Sequence, residues 1–151
     1  MSRRSKAREL VVQMLYQADC NPDLPASVVH EQMRERIADD PEMFEFAWRL
    51  YSGTMEQRET LDKQIESIAQ NWSLTRMPIT DRNVLRLGAY ELLCTDVPHR
   101  VAINEALELS KTFGTKESSP FVNGVLDKLV PEAKRSAPPR QAFSPRDSAD
   151  E

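Results

Sequence analysis

The spacing of apolar residues settles the fold class of this chain before composition is considered. They recur three and four positions apart through most of its length, and no alternating β-branched run long enough for a strand interrupts them. Leu10, Val11, Met14, Leu15 and Ala18 form one face of a helix over about residues 4–20, ended by Asn21-Pro22. Asp23 to Pro25 reads as a cap followed by a first-turn proline, opening a helix with Val29, Met33 and Ile37 inward. Asp40-Pro41 repeats that signature before Phe44, Ala47, Trp48, Tyr51 and Met55. Leu61, Ile65, Ile68 and Ala69 mark a fourth helix, ending near Trp72. Thr80 is the expected cap of a fifth, with Val84, Leu85, Leu87, Gly88, Ala89, Leu92 and Leu93 inward. Those positions cover most of the helix circumference, so this helix belongs at the centre, with Gly88 letting a neighbour approach closely. After Asp96-Val97-Pro98 comes a stripe of Ile103, Ala106, Leu107 and Ser110, closed by Phe113 and stopped at Gly114. Ser119-Pro120 is the expected start of a last helix with Val122, Val125, Leu126 and Leu129 inward, stopped by Pro131. The fold is expected to be all-α, with about six to seven helices in a domain over residues 1–133. Residues 134–151, with three prolines and one aromatic, are expected to be a disordered tail.

Size and composition agree. A chain of 151 residues with 40% hydrophobic and 29% charged residues has the makings of one domain with its own core. No stretch approaches the roughly 20 apolar residues of a membrane helix, and the first residues carry no secretion signal, so a cytoplasmic protein is expected. Cys20 and Cys94 lie far apart without a Cys or His neighbour, which argues against a zinc cluster and for two small, buried or half-buried side chains.

Charge is distributed unevenly. Residues 1–18 carry Arg3, Arg4, Lys6 and Arg8 against Glu9, net +3, whereas residues 19–66 set five basic against twelve acidic residues, net −7. A basic end on an acidic body suits one polyanion-facing edge. Catalytic readings find little support. The two histidines, His30 and His99, have no nucleophile arrangement beside them, and no glycine-rich phosphate loop occurs. Glu91, Glu105, Glu108 and Asp127 lack the Glu-x-x-His pairs of a di-metal bundle, so solvated acids are the better reading. No metal, no cofactor and no catalytic residue is expected.

Two constellations suit RNA. The basic start can be a solvated helix end or a phosphate-binding arm. Lys111 to Phe121 is a polar interhelical loop bracketed by Phe113 and Phe121, which either anchor the loop in the core or stack on bases.

The segments Val101-Ala102-Ile103-Asn104-Glu105-Ala106-Leu107 and Phe121-Val122-Asn123-Gly124-Val125-Leu126-Asp127 resemble the signature of the NusB family of bacterial transcription antitermination factors. Arg3 to Glu9 with Gln13-Met14-Leu15-Tyr16, and Val84 to Leu92, resemble the family's first and central helices in the same order, so that the likeness spans about residues 3–132. It implies two small helical bundles packed together. It also implies a non-enzymatic protein that binds boxA-type single-stranded RNA of ribosomal RNA leaders with NusE, a small-subunit ribosomal protein, and helps load the antitermination complex on RNA polymerase. Carried over by position, Arg3, Arg4, Lys6 and Arg8 would meet phosphates, and Arg86, Lys111, Phe113, Glu117 and Phe121 would line the RNA surface, Glu117 accepting from a base edge. Tyr16 and Asp81 would face NusE, core packing being the other reading of Tyr16. The basic start is thinner than the family's usual arginine run and is interrupted by Ser5. An apolar patch meant for a partner could equally close a homodimer.

Overall fold

A computed structural model describes residues 2–70 and 72–136. Among the described residues there are α-helices α1 (Arg3–Cys20), α2 (Ala26–Arg36), α3 (Pro41–Glu56), α4 (Arg58–Ile68), α5 (Ile79–Cys94), α6 (His99–Phe113) and α7 (Ser118–Leu129). A 3-10 turn at Leu74–Arg76 lies between α4 and α5, and a four-residue helix, α8 (Glu132–Arg135), follows α7. No strand occurs among the described residues.

The helices sort into an N-terminal layer, in which α1 and α2 pack on α3, and a C-terminal group in which α5, α6 and α7 pack on one another with α4 alongside. Helix α5 joins the two, touching α1, α3, α4, α6 and α7. The apolar stripe of α1 falls as its spacing requires: Leu10, Val11, Met14, Leu15 and Ala18 are all buried. Gly88 does allow close approach, because a Cβ there would stand 2.7 Å from Leu126 Cδ1 of α7.

Several local expectations are corrected. Helix α5 starts one residue before Thr80, directly after Pro78 at φ −53°, ψ 143°, so Thr80 is already inside the helix and caps nothing. Helix α7 starts at Ser118, which displaces Ser119 from the cap; Pro120 remains in the first turn, where a missing N–H costs no helical bond. Leu93 is exposed, because it lies on the α5 edge left uncovered beside the buried Leu92. Cys20 and Cys94 are exposed, each standing at the last residue of a helix. Trp72 follows α4 rather than ending it and is also exposed.

The expected tail lies outside the described residues from 137 onward. Its first residues do not hang free: Lys134 Nζ donates to the carbonyls of Glu91, at 3.0 Å, and Val97. The ammonium therefore closes the C-terminal end of α5, where unpaired carbonyls and the helix dipole favour a cation.

Candidate nucleic-acid interface

Helix α1 opens with a cap and a concentration of positive charge. Ser2 Oγ accepts from the backbone N–H of Ser5 at 3.0 Å, which fixes the first turn, and that turn contains no acidic residue. Cations at a helix N-terminus oppose the helix dipole, so they add positive potential there at a cost to the helix. Arg3 and Lys6 are exposed. Arg3 faces Asp40 at 3.5 Å and Glu42 at 3.7 Å, longer than the roughly 2.7–2.9 Å of a firm charge-assisted hydrogen bond, and its own side chain is half exposed. Arg4 is half-buried, with its guanidinium carbon 5.2 Å from the centre of the Phe46 ring on α3, a cation–π distance.

Arg8 is elsewhere. Its side chain is 4% exposed and forks onto Glu91, Nε to Oε1 at 2.9 Å and Nη2 to Oε2 at 2.8 Å, while Nη1 reaches Glu105 Oε1 at 3.1 Å. Burial alone would lower the guanidinium pKa; the facing carboxylates outweigh it and the net shift is upward. The expectation that Arg8 meets phosphate is therefore corrected: it fastens α1 to α5 and α6 inside the protein.

The start of α1 is tied to α6 a second time, by Ser5 Oγ donating to Glu105 Oε1 at 2.6 Å. Glu108 and Thr112, three and seven residues beyond Glu105, lie on the same side of α6, so an exposed strip runs from the α1 start toward the loop. From Glu105 to Phe113 that strip is about 12 Å long at 1.5 Å per residue. Lys111, exposed, pairs with Glu108 at 3.2 Å. Phe113 and Phe121 pack against the core but stay partly exposed, so each keeps some ring surface for a ligand while anchoring the loop. Lys116 and Glu117 are exposed, and Glu117 accepts from Thr115 Oγ1 at 3.1 Å.

Arg86 does not line this surface. Its side chain is 5% exposed and is held by Asp62, at 2.8 and 3.0 Å, by Asp19 at 3.0 Å and by Asn83 at 3.0 Å. Arg82 Nε adds a 2.7 Å contact to Asp19, so this network binds the end of α1 to α4 and α5. Burial raises the Asp19 pKa, but hydrogen bonds from Arg82 and Asn83 and the charges of Arg86 and Arg82 prevail and hold it at about 2.

The two residues expected to face a protein partner part company. Tyr16 is 42% exposed, one turn before Asp19 on α1, which removes the core-packing reading. Asp81 is buried and accepts from Ser118 Oγ at 2.7 Å, while that same oxygen accepts from Thr115 N–H at 3.0 Å. Asp81 thus braces the α6–α7 loop from within and presents no face to a partner.

The acidic residues weighed as metal ligands are otherwise engaged: Glu91 and Glu105 by Arg8, Glu108 by Lys111 and Asp127 by Arg135. Among the described residues no group of three or more His, Cys, Asp or Glu stands together as a metal site. His30 lies edge-on to Phe44 at 5.0 Å and Trp48 at 4.7 Å, a packing role. None of the described helices is long and apolar enough to cross a membrane. Sequence reasoning passed over Phe46, Asp19 and Asp62 and took Glu91, which is buried, for a solvated acid; these are the partners that decide where the arginines go.

The chain compares closely with known proteins. The NusB family model matches residues 5–131. The transcription antitermination protein NusB of Anaeromyxobacter dehalogenans is 43% identical over 137 residues, covering 89% of this chain and 96% of that protein. The NusB of Trichlorobacter lovleyi is 44% identical over 130 residues, covering 85% and 91%. Among solved structures, NusB of T. maritima superposes with a TM-score of 0.76 at 34% identity, over 93% of this chain and 96% of that one. A chain from the crystal structure of the antitermination factors NusB and NusE with double-stranded RNA gives 0.75 at 26% identity, covering 84% and 95%. With the helix order, the central α5 and the matched segments all in agreement, the chain belongs to the NusB family of transcription antitermination factors.

Proposed function

We propose that this chain is a non-enzymatic, cytoplasmic antitermination factor that holds boxA-type single-stranded RNA of ribosomal RNA leaders together with NusE and helps load the antitermination complex on RNA polymerase. The observation that carries the RNA part is the start of α1, where exposed Arg3 and Lys6 stand on a helix end whose first turn has no acidic residue, with Ser5 between them joined to α6. Phosphates meet the cations of that end, and bases reach the exposed edges of Phe113 and Phe121, with Lys111 and Lys116 nearby. Glu117 is suited to a base edge and not to phosphate. Arg4 contributes from its place over Phe46. Arg8 and Arg86 serve indirectly, by fixing the helices that carry the surface. Exposed Tyr16 is the anchor offered to NusE, on a part of α1 about three turns beyond the RNA-facing residues.

The test is fluorescence anisotropy with a labelled boxA-type single-stranded RNA and a duplex of the same sequence, with and without NusE. The expected result is binding to the single strand that tightens when NusE is added and weakens with salt. NusE binding without RNA binding would leave a protein-interaction module and reject the RNA reading.

A further inference from the structure

We infer that Ser5 and Glu105 are positioning residues for RNA capture; the inference rests on the RNA reading of the α1 start. Ser5 interrupts the basic run, and on sequence alone it only dilutes the charge. In the structure it is the middle of a polar chain. Ser2 Oγ donates to Ser5 Oγ at 2.8 Å, Ser5 Oγ donates to Glu105 Oε1 at 2.6 Å, and Arg8 Nη1 donates to that same oxygen at 3.1 Å. The contact joins residues 100 positions apart, so it sets where the first turn of α1 lies on α6 and not merely how that turn is wound.

Two consequences follow for a polyanion. Arg3 and Lys6 flank Ser5 in the same turn, so holding Ser5 holds their backbone in place and spares part of the ordering cost of binding. Glu105 carries a negative charge on the RNA-facing strip, with its side chain 15% exposed. The Ser5 hydroxyl and the Arg8 guanidinium both point hydrogens at it, which keeps its charge turned inward instead of toward phosphate. A basic residue at position 5 would add a cation but would lose this short neutral tether.

The test compares the full chain with Ser5→Ala and Ser5→Thr. In Ser5→Ala the amides of Lys6 and Ala7 should exchange faster with deuterium, and boxA-type RNA should bind roughly fivefold more weakly, the worth of one hydrogen bond. The thermal midpoint should fall by no more than roughly 2–4 °C, the worth of that one bond, NusE affinity should stay unchanged, and Ser5→Thr, which keeps the hydroxyl, should restore RNA binding. Adding Ser5→Ala to Arg3→Ala/Lys6→Ala should cost nothing further, because the tether acts through those cations. An RNA affinity unchanged by Ser5→Ala, or a loss that persists in the Arg3→Ala/Lys6→Ala background, would overturn the inference while leaving the RNA reading intact. Failure of the unmodified chain to bind the RNA would overturn both.

Discussion

Arg8→Ala removes the guanidinium that lies between Glu91 and Glu105 and leaves Glu91 without its cation. Both side chains of the Arg8–Glu91 pair are almost wholly buried, at 4% and 2% exposure. Breaking such a pair from one side costs about 3–5 kcal/mol, because the remaining charge stays desolvated. Glu105 suffers less, since it retains Ser5 and some contact with water. For a chain of this length each kcal/mol moves the unfolding midpoint by roughly 2–4 °C, so Arg8→Ala should lower it by roughly 6–20 °C. Arg8→Met/Glu91→Met, which removes both charges and fills the space with apolar atoms, should recover most of that loss. Circular dichroism melts measure the midpoints, and anisotropy at a temperature where both proteins are folded measures RNA binding. The double variant should bind RNA within about twofold of the parent, since Arg8 is turned inward onto Glu91 and Glu105. An Arg8→Ala protein that melts like the parent yet loses RNA binding would show instead that Arg8 acts at the RNA surface.

Other outcomes are equally specific. Asp19 has a folded-state pKa of about 2, below the roughly 3.9 of an unfolded aspartate, so its charge stabilises the fold above pH ~4. That contribution, about 2 kcal/mol, should drain away as pH falls from 4 toward 2, and acid titrations of stability should lose this component in Asp19→Asn. Gly53→Ala would place a methyl into the Tyr90 ring and should destabilise by about 1–3 kcal/mol in urea denaturation. Gly124→Ala should do the opposite and stabilise by about 1 kcal/mol, because nothing lies within 4 Å of a Cβ there and alanine favours the helix.

Helix spacing made the core of α1, the central place of α5 and the closeness at Gly88 readable from the sequence, since each follows from which apolar residues share a face. Caps were less readable: Thr80 and Ser119 have the right chemistry, but α5 and α7 begin at Ile79 and Ser118, two residues earlier than those caps would set, so both side chains fall inside the helices. The site was half legible. Basic residues at the start of α1 look alike in sequence, and only their helical phase separates Arg3 and Lys6 from Arg8. Arg8 falls three positions before Val11 and seven before Leu15, on the buried stripe, which was a signal that it needed a buried carboxylate. Arg86 and Glu91 lie on a helix whose apolar residues already wrap most of its surface, and the same logic applies to them. Their partners, Asp19, Asp62 and Arg8, come from distant helices and could be found only once the chain was folded. Asp81 was misread because the hydroxyl it braces, Ser118, lies 37 residues away.

The most direct test of the division between surface and structural cations is the salt dependence of RNA binding in the presence of NusE. If exposed Arg3, Lys6, Lys111 and Lys116 meet phosphates as proposed, ~4 contacts give log Kobs against log salt a slope of about −3 on a single strand. In Arg3→Ala/Lys6→Ala the slope should flatten to about −1.5, since two contacts are lost. A flat response in the parent, or a slope that the double substitution leaves unchanged, would show that the start of α1 does not carry the RNA.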